Sequence, residues 1–424
     1  GAAPEAEVKK LRVWLADTSR QPGVCLNVPK SEKATAGYDF QVRPASGWTV
    51  KNEGQEAEAD EPKLKSTVLL DGYDYGGWTQ VMATAELADG RIVVGQVKEG
   101  SKSSQLAIPK DDNRNHIAER WEVGRTVIEA TADTDGSPPG NGVEGDGLSR
   151  YEEYRGFMSK GVHTRTDPAQ KDLFIHDPGN LGIGLFGASG LTVHFVDAAE
   201  FDQEAGFANT NVINGNRDFA ALGPQHLLVL KNINLGGALT GLCIGGLEPG
   251  IPRTKKLVAV DKKRAQAPGE AGLAATIAHE LSHACGVWHH GDIDYEAYDL
   301  EYLRKSDGEW HPVGGRGPSG IVVAARGGQE SGVEECIMRY ITSTAGAFER
   351  EDGDLRWRKK SGTGPWILGT WTPTLEDHPH LFCDQAEGTG INAPGNPGGS
   401  FAGDATVGDC LHWFQVNDLK PPKR

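Results

Sequence analysis

The chain has no apolar run longer than about five residues, in stretches such as 227–230 and 322–325, whereas a bilayer-spanning helix needs roughly 20. That excludes a membrane-spanning helix. Cations are also in short supply: 43 Lys and Arg stand against 59 Asp and Glu, for a net charge of −16. Such a balance repels nucleic-acid phosphates and anionic lipid, and it leaves acidic side chains to recruit cations. Neither a nucleic-acid partner nor a membrane surface is expected. There are only 3 methionines, and histidine is missing from residues 1–107. The chain opens at Gly1 with no initiator Met, basic n-region or apolar h-region, so any signal peptide has been removed or is not included in this sequence, and export is inferred indirectly, from the cysteines.

Six cysteines, at 25, 243, 285, 336, 383 and 410, suit an oxidising compartment but leave the pairing open. Cys383 with Cys410 is the expected bridge, because both lie in one Gly-rich tail. Cys285 is expected to be buried or paired with Cys243 or Cys336, and Cys25 to be half of a disulfide. Glycine is abundant, with 57 in 424 residues or about 13% against a typical ~7%, which implies many turns and loops.

At roughly 150 residues per domain, 424 residues imply more than one domain and a sizeable core. In residues 1–107, strands are expected at 11–16, 38–42, 66–70, 79–87 and 91–97, with a hairpin turn at Ala88-Asp89-Gly90. The charged run 53–65 reads as a solvated loop. This pattern implies an all-β sandwich of immunoglobulin-like architecture. Residues 108–160 are dense in Asp, Asn, Glu and Gly and read as a cation-binding hinge. Beyond them, strands at 191–196, 225–230 and 256–260 alternate with helices at 115–127, 148–158 and 271–285, a mixed α/β pattern. From 346 to 424, Trp357, Trp366 and Trp371 punctuate a Gly/Pro-rich tail expected to pack on the preceding domain.

Four of the 13 histidines fall between His279 and His290. In His279-Glu280-Leu281-Ser282-His283, an i, i+4 pair on a helix puts two imidazoles on one face, which is half of a zinc site. Glu280, about 100° around the helix, can reach a metal-bound water without ligating the ion, the place of a general base. Gly286 can end the helix in the left-handed region and turn the chain back, so that His289 supplies a third ligand. His290 points elsewhere and reads as a neighbour. Ser282 has no partners for nucleophilic catalysis.

The HExxHxxGxxH pattern of residues 279–289 resembles the metzincin clan of zinc endopeptidases. A second feature strengthens the resemblance: Cys336-Ile337-Met338-Arg339-Tyr340 lies about 50 residues downstream, where clan members carry a turn with Met beneath the metal. The resemblance implies a metzincin-like α/β catalytic domain over 161–345 with Met338 structural. It also implies Tyr340 as a zinc ligand or oxyanion donor, as in the astacin-like and serralysin-like branches. The family within the clan is not assigned, since His290-Gly291-Asp292 matches no branch signature.

In the hinge, Asp111, Asn113, Asn115, Ile117 and Glu122 occupy positions 1, 3, 5, 7 and 12 of an EF-hand-like loop, an oxygen cage suited to Ca²⁺. His116 stands at position 6, where the pattern calls for Gly, so distortion is expected. A second loop offers Glu144, Asp146 and Glu153, with Asp133 or Asp135 standing in for the first position. The paired loops resemble calcium-binding repeats of secreted bacterial proteins.

Taken together, the residues imply a secreted, monomeric zinc metalloendopeptidase acting on protein or peptide substrates, with one catalytic Zn²⁺ and one or two structural Ca²⁺. A calcium-stabilised extracellular binding or adhesion protein with an inactive zinc site, and a zinc hydrolase of non-peptide amides, are the alternatives.

Overall fold

The structure is a computed structural model that describes residues 7–21, 37–61, 65–98, 102–122, 124, 129–139, 143–203, 211–214, 219–236, 239–245, 250–255, 257–267, 270–287, 299–304, 310–316, 337–338, 347–351, 354–358, 382 and 410–421. These residues are mostly β-sheet with few helices, and no helix among them is long and apolar enough to cross a membrane. The chain divides into two units: Gly1–Asp133 with Leu148–Pro168 and Asn214–Pro224, and Thr134–Gly147 with Ala169–Ile213 and Gln225–Arg424. The stretch 108–160, expected as one hinge, is therefore shared between them.

In the first unit, the N-terminal strands are β1 (Val8–Ala16), β2 (Phe40–Val42), β3 (Trp48–Lys51), β4 (Glu56–Ala59), β5 (Leu70–Gly72), β6 (Thr79–Leu87), β7 (Ile92–Val94) and β8 (Leu106–Ile108). Six form a sheet in the order β3-β4-β1-β6-β7, with β8 also on β6, and β2 pairs with β5. Every one of these pairings is antiparallel. Alternation explains the buried face: Val13 and Leu15 of β1 turn inward, and Leu15, Ala57 and Val42 form a core with Phe40, Leu70 and Val81. The run 53–65, expected as a loop, instead contains β4. Its Glu-Ala-Glu-Ala sequence is a period-2 pattern in which Ala57 and Ala59 are buried and the glutamates stay outside.

The same unit continues with α1 (Glu119–Glu122), α2 (Arg150–Arg155), β9 (Phe157–Ser159) and β10 (Val162–Thr164). Ser149 and Glu152 form a capping box at the start of α2. Arg155 then reaches Asp74 through two charge-assisted bonds, Nη2 to Oδ2 at 2.6 Å and Nε to Oδ1 at 3.1 Å, with both side chains buried. The helix expected to begin at 115 begins instead at Glu119 in α1, because the preceding residues are wound around the Asp111 carboxylate.

In the second unit, β11 (Asp172–His176), β12 (Thr192–Phe195), β13 (Asp202–Gln203), β14 (Asn211–Val212), β15 (Leu228–Asn232), β16 (Gly241–Ile244) and β17 (Leu257–Val260) precede α3 (Lys262–Ala265) and α4 (Glu270–Ala284). Five strands run in the order β12-β11-β15-β17-β16; all pairs are parallel except β16 with β17, so β16 is an antiparallel edge. Leu173 to Ile175 and Leu228 to Leu230 are buried without alternation, as expected for strands covered on both faces. Strands β18 (Asp299–Arg304), β19 (Trp310–Arg316), β20 (Ala347–Glu351) and β21 (Asp354–Arg358) form a separate sheet in the order β19-β18-β21-β20.

Helix α4 packs its stripe of Leu273, Ile277, Leu281 and Ala284 into a core with Leu173, Ile175, Leu228, Leu230, Val258 and Val260. Trp413, Phe414 and Val416 of the C-terminal segment enter the same core. The segment is pinned by Asp418, whose buried carboxylate accepts the backbone amides of His226 at 2.6 Å and Arg253 at 2.8 Å.

A 3-10 turn, Gly184–Ser189, packs on α4, and Gly184 sets the approach. Its φ is +56°, and a Cβ there would lie 2.7 Å from the Ala274 Cα. Gly184→Ala is therefore expected to destabilise the protein by about 2–5 kcal/mol, from left-handed strain together with overpacking. Denaturant unfolding measures it, and a variant within 0.5 kcal/mol of the parent, the ordinary scatter of surface substitutions, would show that the contact is not tight.

Candidate functional site

Helix α4 ends in a Schellman arrangement: Val287 N–H bonds Ser282 O at 3.0 Å and Gly286 N–H bonds His283 O at 3.4 Å, with Gly286 at φ +89°. The turn has a chemical consequence. It presents the Val287 carbonyl to the His283 Nδ1, 2.9 Å away. One turn back on the helix, the His279 Nδ1 meets the Ile337 carbonyl at 2.8 Å, and the next residue, Met338, is fully buried in the core beneath α4.

A carbonyl oxygen only accepts, so each Nδ1 must carry the ring hydrogen, and each neutral imidazole is left with a lone pair on Nε2. These two Nε2 atoms face each other at 3.2 Å. A cation placed between them could be shared by both nitrogens. Zinc–nitrogen bonds of ~2.0–2.1 Å at a tetrahedral angle would separate two ligand nitrogens by about 3.3 Å, so the donor set suits the ion implied by the sequence.

Glu280, 8% exposed, lies beside the pair. Burial pushes its carboxyl above the ordinary glutamate range, opposed by His279 and by the backbone amide of Cys243, which donates to it. Ser282 gives its hydroxyl to Ala278 O at 2.7 Å and is structural. Cys243 and Cys285 are both thiols, so of the alternatives expected for Cys285 the structure shows burial and not a bridge to Cys243. Burial pushes Cys243 up to about 12 and Cys285 well above the usual thiol range, so neither is a reactive thiolate. His289, His290, Tyr340, Cys25, Cys336 and Cys383 lie outside the described residues.

The first acidic loop is tightly organised. Asp111 Oδ1 accepts Arg114 N–H at 2.6 Å and Oδ2 accepts His116 N–H at 2.8 Å. Asn115 and Asn113 both reach the Glu122 carboxylate, at 2.6 Å and 3.3 Å, and the Asn115 oxygen takes the Ile117 amide at 2.9 Å. His116 adopts φ +65°, the left-handed backbone a glycine would give, and its ring stacks on Trp78 with centroids 4.0 Å apart.

At the second loop, within the second unit, Asp135 and Asp146 bring carboxylate oxygens within 4.8 Å of each other, and both are buried. Asp146 also accepts the Asp172 amide at 2.8 Å. Glu144 and Glu153 are not members of this cluster. Glu144 offers its carbonyl to Asn417 at 3.1 Å, and Glu153 is buried on α2.

Two contributions went unseen in the sequence. Gln415 N–H caps the Cys285 carbonyl at 2.7 Å, so the C-terminal segment closes the turn after α4. Gly241 and the Cys243 amide of β16 face Glu280. Neither carries a sequence signal, since a backbone amide is present at almost every residue.

No family model matches the chain, and neither a curated protein nor a solved structure matches it.

Removing one imidazole leaves the other without its partner. His283→Ala is expected to abolish the stoichiometric zinc of about one ion per chain measured by elemental analysis; undiminished zinc would show that the facing imidazoles do not hold the metal.

Proposed function

We propose that this chain is a secreted zinc endopeptidase of the metzincin type, acting as a monomer on protein or peptide substrates. The observation that carries the proposal is the 3.2 Å facing of the His279 and His283 Nε2 atoms, each fixed by a carbonyl on Nδ1, with buried Glu280 alongside. In this reading the second unit holds a metzincin-like α/β catalytic domain, and the N-terminal strands form an immunoglobulin-like accessory sandwich.

His279 and His283 would hold the ion, joined by His289 as the sequence pattern implies. Zinc held there would acidify a water toward neutrality and polarise the substrate carbonyl. Glu280 takes one proton from the attacking water and delivers it to the leaving nitrogen as the peptide C–N bond breaks. By the resemblance, Tyr340 donates its hydroxyl hydrogen to the oxyanion.

One or two structural calcium ions belong to the proposal. The 111–122 loop, EF-hand-like in spacing, supplies Asp111, Asn113, Asn115, the Ile117 carbonyl and Glu122, and a second ion would be held by Asp135 and Asp146.

Casein or gelatin digestion that stops with a chelator and returns with zinc is the expected result. Digestion absent from the zinc-loaded protein would favour the binding-protein or non-peptide amide reading instead. Glu280→Gln should keep the metal and lower kcat by about 10²–10⁴-fold; a Gln variant as active as the parent would refute the role of the carboxylate.

Calcium that binds only the native state raises the melting temperature in a concentration-dependent way. Asp111→Ala with Glu122→Ala should shrink that rise, as read by a calcium titration of thermal unfolding. A parent protein indifferent to calcium would remove these ions from the proposal.

A further inference from the structure

Glu280 needs more than its place on α4 to work, because a glutamate has three rotatable bonds and its carboxylate can wander by several ångströms. What holds it is the edge strand β16. A Cβ built on Gly241 would lie 2.5 Å from Glu280 Cγ, 2.6 Å from Oε1 and 2.9 Å from Cδ, so even a methyl group is incompatible with the observed side chain. The backbone at Gly241 is not left-handed, so space, not conformation, demands glycine here. Two residues along, the Cys243 amide donates to the same carboxylate. The strand itself is anchored by its pairing with β17, Gly241 opposite Val260 and Cys243 opposite Val258.

We infer that Gly241 is a positioning residue for the reaction: its bare backbone, with the Cys243 amide, is the seat that holds the Glu280 carboxylate beside the facing imidazoles of His279 and His283. The inference rests on the endopeptidase reading above for its catalytic consequence, and on the contact alone for its structural one. With strand and helix both anchored, a methyl at Gly241 must displace the flexible partner, Glu280. Misplacing a reacting group by about 1 Å costs on the order of 10²-fold in rate.

The test uses the full-length protein with Gly241→Ala, Glu280→Ala, Glu280→Gln and the double variants, and Leu242→Ala as a control whose side chain is 41% exposed. Gly241→Ala should retain its zinc and keep KM within about twofold while kcat falls 10- to 10²-fold, with Leu242→Ala at the parent level. Adding Gly241→Ala to Glu280→Gln should lower kcat no further, because both changes act on one group. In the cobalt-substituted protein, the visible spectrum of Gly241→Ala should move toward that of Glu280→Gln. Should Gly241→Ala fail to fold, Gly241→Ala with Glu280→Ala must recover the parent melting temperature and zinc content, since the clash partner is gone. Unchanged kcat and spectrum in a folded Gly241→Ala, a raised KM with kcat intact, full additivity with Glu280→Gln, or a double variant that stays unfolded would each overturn the inference. A parent protein without peptidase activity would instead refute the endopeptidase reading, and the spectrum and the folding rescue would still decide whether Gly241 seats Glu280.

Discussion

Two ring hydrogens, given by His279 to the Ile337 carbonyl and by His283 to the Val287 carbonyl, decide the chemistry of the centre. Each fixes a tautomer and a ring orientation at once, and together they turn two Nε2 lone pairs toward each other at 3.2 Å. Two nitrogen donors oriented in this way are suited to share one cation placed between them. Both acceptors are backbone atoms, which ties the site to the course of the chain.

That course is set by packing. The Val287 carbonyl is in position because α4 ends at a left-handed Gly286, and the C-terminal segment covers the turn through the Gln415 amide on Cys285 O. The Ile337 carbonyl is in position because Met338 is buried in the core that also receives Ile277, Leu281, Phe382 and Phe414. Residues scattered from 173 to 416 therefore converge on one helix, and the function of that helix depends on contacts distant in sequence. Beside it, β16 contributes an absence of side chain at Gly241 and an amide at Cys243.

The helix of the centre was legible because it combines good helix formers with an apolar stripe: 271–285 was expected, and α4 spans Glu270–Ala284. Strands 11–16 and 79–87 were legible from alternation and β-branched residues, and correspond to β1 and β6. Strand β4 was hidden because its inward residues are alanines between glutamates, so charge masked the period. The helix expected from 115 starts later, at Glu119, because the residues before it bond the Asp111 carboxylate instead of each other, a competition that side-chain oxygens win locally. At the centre, side-chain chemistry such as His279, Glu280 and His283 could be read from spacing. The carbonyls, the Gly241 gap and the Cys243 amide could not, since backbone groups acquire a role only when the fold brings them into place.

The most direct measurement of the central claim is nitrogen-15 NMR of ring-labelled histidine before and after zinc is added at neutral pH. The account predicts that His279 and His283 each begin as the Nδ1-protonated neutral tautomer, and that zinc shifts their Nε2 resonances while Nδ1 stays protonated. Nε2 resonances unmoved by stoichiometric zinc, or rings that start as the Nε2-protonated tautomer, would contradict it.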